Sequence, residues 1–67
     1  MEVGQCFIFK FSEENKQSYF FTGEYDNNEN MVMCKILPKE EINFTSFWQM
    51  SKKYFDEKLK EGIITLL

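Results

Sequence analysis

From Cys6 the chain alternates, with Phe7, Phe9 and Phe11 falling on one side and Cys6, Ile8 and Lys10 on the other. A period of two is that of an extended strand, so residues 3–11 are expected to form the first one. Residues 12–17 (SEENKQ) are polar and turn-forming, and residues 18–25 (SYFFTGEY) return to aromatic and β-branched types; this predicts a hairpin. Three Asn and one Asp in residues 26–30 (DNNEN) suit a second tight reversal, because these side chains bond their own backbone and tolerate left-handed geometry. Residues 31–37 (MVMCKIL) then read as a third strand, with Met31, Met33 and Leu37 on one face and Val32, Cys34 and Ile36 on the other. Pro38 ends it.

The pattern changes period after Ile42. Asn43, with Ile42 and Phe47 spaced as a hydrophobic staple, is the preferred helix cap, and Ser46, with Gln49 spaced as a capping box, is the alternative. Gly62 fits a left-handed helix exit, and residues 63–67 (IITLL) read as a short last strand. The expected order is β-β-β-α-β, an α+β chain of one domain over residues 1–67. Because the first and third strands are apolar on both faces, a flat sheet with one wet side does not suit them. A small, strongly bent antiparallel sheet does, an SH3-like half-barrel with its one helix in the C-terminal half and bends at Gly4 and Gly23. Phe7, Phe9, Phe21, Val32, Ile36 and Phe55 are its expected core.

On a helical wheel the segment from Phe47 to Leu59 places Phe47, Trp48, Met50, Ser51, Tyr54, Phe55 and Leu59 on an arc of roughly 180°, against the stripe of about 100° that packing on one sheet requires. Trp48, Met50 and Leu59 at its margins are therefore candidate partner-binding residues, since Trp, Tyr, Phe and Met are enriched at interface centres. A wide arc is also what a small protein short of core-forming material would use.

Composition narrows the chemistry. The 67 residues include 12 aromatics but no Arg, His or Ala, and every cation is a Lys. Without His no side chain titrates near neutrality unperturbed, and without Arg there is no bidentate fork for phosphate or guanine. The three glycines, Gly4, Gly23 and Gly62, make no phosphate-cradling loop, and no spacing sets a nucleophile beside a base. The expectation is a protein without catalysis, cofactor or metal. Cys6 and Cys34 follow no ligand pattern and read as small hydrophobes in a reducing compartment, although spacing alone leaves a disulfide between them open.

The net charge is -3, and residues 1–44 hold eight acids against four Lys. An acidic front disfavours direct binding of nucleic acid, and Glu24, Asp26 and Glu29 form a second candidate surface, one suited to a basic, nucleic-acid-binding protein. Neither a basic leader nor an apolar run of membrane length occurs, and a cytoplasmic location is expected. Richness in Lys, Asn, Phe and Ile without Ala or Arg fits an AT-rich genome such as that of a phage or mobile element. The resulting reading is a small accessory or inhibitory factor that binds a larger host protein, with a homodimer as a further expectation. The alternative is a small β-barrel that stacks nucleic-acid bases on exposed aromatics.

Overall fold

The computed structural model describes residues 1–67. Five strands, β1 (Cys6–Lys10), β2 (Lys16–Tyr25), β3 (Met31–Lys35), β4 (Phe47–Met50) and β5 (Ile64–Leu66), form one antiparallel sheet in the order β4-β3-β2-β1-β5. A single helix, α1 (Lys52–Lys60), joins the last two. The sheet does not close into a barrel: β4 and β5 are its two edges.

Both sequence-predicted hairpins form. In the first turn Ser12 and Asn15 exchange backbone hydrogen bonds, and the Ser12 hydroxyl accepts the Asn15 N–H as well. In the second, Asp26 Oδ1 accepts the backbone N–H groups of Asn28 at 2.8 Å and Asn30 at 2.9 Å, while Glu29 takes a left-handed φ of 64°. The β2–β3 register shifts between Phe21 and Tyr25, a bulge of the kind that bends and twists a strand. Gly23, inside it, has φ +87°.

The segment 43–50 is not helical. Asn43 does cap a turn, and Ser46 completes a reciprocal capping box with it, but that turn is a single 3-10 turn over Phe44–Ser46. The chain then extends as β4, where Trp48 pairs with Met33 and Met50 with Met31. Aromatic residues suit a pleated surface, and pairing with β3 outweighs the helical spacing of four residues. The helix begins only after Ser51, whose hydroxyl accepts the Tyr54 N–H at 3.0 Å, as an N-cap does. It ends as expected at Gly62 (φ +80°), with the Gly62 N–H bonded to the Leu59 carbonyl and the Ile63 N–H to that of Lys58. That pair of bonds satisfies the last carbonyls of a helix ending in left-handed glycine. The order is thus β-β-β-β-α-β rather than β-β-β-α-β.

Alternation sends Phe7, Phe9, Tyr19, Phe21, Met31 and Met33 to one side of the sheet, together with Met50 and Ile64. Phe55 of α1 covers them, its ring meeting Phe7 edge-on with centroids 5.2 Å apart. Trp48, Tyr54, Leu59 and Ile63 close the margin of this core. Of the residues expected in it, Phe7, Phe9, Phe21 and Phe55 are buried. Val32 is only half-buried and Ile36 is 46% exposed. Both point to the opposite side of β3, away from the helix, because residues one position apart in a strand face opposite ways.

Candidate docking surface

The side of the sheet that α1 leaves uncovered is built by the other half of the same alternation. Register places Cys6 of β1 opposite Phe20 of β2, Phe20 opposite Cys34 of β3, and Cys34 opposite Phe47 of β4. These four side chains run as one row across four strands, at the spacing of about 4.8 Å between neighbouring strands. On one flank Ile8 faces Ser18, and the Ile36 N–H bonds to the Ser18 carbonyl, which brings Ile36 alongside. On the other flank Val32 faces Gln49, and the Thr22 hydroxyl donates to the Val32 carbonyl at 2.9 Å.

Most of this face is apolar and accessible. Phe47 is 40% exposed, and Cys6, Ile8, Phe20 and Val32 are half-buried. Cys34, at 2% exposure, is the exception; it lies between Phe20 and Phe47, at the bottom of the row. Burial pushes the Cys34 thiol pKa above its ordinary value. The two cysteines are separated by the whole of β2, or about 10 Å, beyond the reach of a disulfide; both thiols are free. Contiguous apolar surface is where soluble proteins tend to meet partners, which makes this face the candidate docking surface.

The residues singled out from the sequence lie elsewhere. Trp48 is in β4 on the helix-covered side, its ring packed against those of Phe9, Phe11, Tyr19 and Tyr54. Met50 is a core residue at 4% exposure, and Leu59 is half-buried against the same core. The helix of nine residues therefore has no surplus arc, because the apolar positions at its expected start belong to the sheet. Glu24, Asp26 and Glu29 do come together on the β2–β3 hairpin. Glu24 and Glu29 are exposed, whereas the Asp26 carboxylate is occupied inside the turn. Hydrogen bonds from the Asn30 and Asn28 backbones hold its pKa below the ordinary carboxylate value.

A depression of about 420 Å³ opens at the core end of the sheet, floored by Tyr25, Met31, Phe55 and Leu66. Of its charged lining residues Lys52 and Asp56 pair with each other at 2.9 Å, and Glu2 is the third. Phe44, 87% exposed in the 3-10 turn, is the most accessible large apolar side chain. Sequence reasoning passed over both Phe44 and the Phe20–Phe47 row. The row could have been read from the apolar second faces of strands one and three, had the side covered by the helix been known.

No family model, no curated protein and no solved structure matches this chain. No helix is long and apolar enough to cross a membrane.

Proposed function

We propose that this chain is a small non-enzymatic protein-binding factor that docks through the open face of its sheet. One observation carries the reading: an apolar row of Cys6, Phe20, Cys34 and Phe47 crosses four strands on the side of the sheet opposite the helix-covered core. Leaving such a face in water forfeits roughly 25 cal/mol for each Å² of apolar surface that a partner would bury. The reading extends to an accessory or inhibitory factor of a larger protein in a phage or mobile-element setting. There the reducing cytoplasm suits two free thiols. An SH3-like half-barrel is the architecture we assign, supported by the placement of β5 beside β1 in an open five-stranded sheet. The exposed Glu24 and Glu29 on the β2–β3 hairpin add attraction for a basic partner.

Immobilised wild-type chain and the double variant Ile36→Asp/Phe47→Asp, compared on lysate of the source organism, test this reading. Both positions are exposed, so the variant is expected to keep its fold, as circular dichroism would verify. Proteins retained by wild type and lost by the variant support docking through the open face. An identical retained set removes it, and loss only on Glu24→Lys/Glu29→Lys transfers the site to the hairpin. Oligonucleotide binding that declines steeply with salt would instead support the base-stacking alternative.

A further inference from the structure

We propose that the occupant of the open face is a second copy of this chain, related by a two-fold axis that runs along the strands between β2 and β3. The inference rests on the reading of that face as a protein-docking surface. Across β1 to β4 the row reads small, large, small, large: Cys6, Phe20, Cys34, Phe47. A two-fold axis lying in the interface, parallel to the strands and midway between Phe20 and Cys34, reverses that order in the opposing copy. Phe20 then stands over Cys34 of the second copy, and Cys6 over its Phe47. Each large side chain meets a small one.

The flanking rows obey the same operation. Ser18 of β2 lies beside Ile36 on the β3 side, so reversal sets the small hydroxyl over the large aliphatic of the other copy. Thr22 likewise faces Val32, the residue to whose carbonyl it bonds within its own chain. A surface that complements its own reverse is what an isologous interface requires, and a contact with an unrelated protein imposes no such pattern. Two antiparallel sheets joined in this way make a sandwich, at an inter-sheet spacing of about 10 Å.

Size and charge agree. The backbone measures 31 × 29 × 18 Å, so the largest outline of the molecule, an ellipse of roughly 700 Å² on the two long axes, sets an upper limit on the area a second copy covers, just below the ~800 Å² per partner of a standard interface. Lys10 and Lys16 face each other at one end of the open side, and the turn between them carries Glu13 and Glu14. Two cations and two anions leave that end without net charge to oppose association.

Sedimentation equilibrium on the full chain reads the outcome. Wild type is expected at twice the 8.1 kDa chain mass, while Phe20→Asp and, as the variant at a more exposed position, Ile36→Asp are expected to stay folded and dissociate on the order of 30-fold more readily. In Cys34→Ser/Phe47→Cys, a short bis-maleimide spanning the inter-sheet gap is expected to link the native Cys6 to the introduced thiol of the second copy. Within one chain those positions are three strands, or about 14 Å, apart. A wild-type chain that sediments singly at high concentration overturns the proposal, as does a dimer that neither cross-links in this variant nor responds to Ile36→Asp. A single chain that binds an apolar dye, and loses it in Ile36→Asp, overturns the dimer yet keeps the open face as a dock for another protein. A single chain without dye binding removes both.

Discussion

Trp48 stands edge-on to Phe9, with ring centroids 4.9 Å apart and planes at 67°. The contact joins the edge strand β4 to β1 across the two strands that lie between them, and Phe11, Tyr19 and Tyr54 complete the ring of aromatics around the indole. Aromatic pairs in such geometry contribute about 0.5–1.5 kcal/mol each beyond their buried area. Trp48→Ala is therefore expected to cost about 3 kcal/mol or more, approaching the 3–5 kcal/mol expected of Phe55→Ala. Urea unfolding of both variants measures this. A Trp48→Ala chain as stable as wild type would show that the aromatic cluster contributes nothing to the fold.

The cap of the helix and the cap of the 3-10 turn separate in the same assay. Ser51 caps α1 through its bond to the Tyr54 N–H, so Ser51→Ala is expected to cost about 1 kcal/mol. Asn43 caps only the 3-10 turn, through the Thr45 N–H at 2.9 Å. Asn43→Ala is expected to leave the helical circular dichroism signal unchanged, and a loss of helix content in it would restore the longer helix.

That pair of residues also shows what the sequence could and could not carry. Asn43 was legible as a cap, although of a single 3-10 turn, and Gly62 as the helix exit, because capping is local chemistry satisfied within three or four residues, whereas Ser46 closes the capping box of Asn43 instead of starting a helix with Gln49. Whether residues 47–50 continue a helix or form a strand was not legible, because the deciding partners in β3 lie 13 to 19 residues away in the chain. The core was legible where one face was plainly heavier, as with Phe7 and Phe9. It was not at Val32 and Ile36, where both faces of the strand are apolar and the side covered by α1 settles the matter. The open face escaped notice for the same reason.

Gly23 and Gly62 both hold left-handed backbone, but only Gly23 is crowded: a Cβ there would meet Val3 Cγ2 at 2.6 Å, whereas nothing lies within 4 Å at Gly62. Gly62→Ala is expected to cost about 1–2 kcal/mol from backbone conformation alone. Gly23→Ala is expected to cost that and a steric increment from Val3, which Val3→Gly in the same chain removes at little cost of its own, since the Val3 side chain is largely exposed. Thermal melts of the three variants check the order, and Gly23→Ala melting with or above wild type would contradict it.

Asp26 gives the chain a pH dependence. Its carboxylate accepts the Asn30 and Asn28 backbone N–H groups and the Asn30 side chain, which holds its folded pKa below the ordinary value. A depressed folded pKa means that the unfolded chain binds the proton first, so this stabilisation is complete above the unfolded pKa and is lost as pH falls through the folded one. Asp26→Asn, which keeps one oxygen acceptor but cannot titrate, is expected to flatten the acid side of the stability-against-pH curve. An acid limb identical to that of wild type would assign the loss to other carboxylates.

Cys6 and Cys34 are expected to differ in reactivity rather than to pair. Cys34 is buried and its thiol pKa is raised by that burial, which lowers the population of the reactive thiolate. Cys6 is half-buried on the same face, and β2 keeps the two about 10 Å apart. Maleimide labelling followed by mass spectrometry is expected to modify Cys6 first and Cys34 only as the chain unfolds, and reductant is expected to leave the melting temperature unchanged. Covering the open face protects both positions, so dilution that dissociates a dimer should speed labelling of Cys6 while leaving Cys34 slow. Equal rates at the two thiols, or a melting temperature that falls in reductant, would contradict the burial of Cys34 or the separation of the pair.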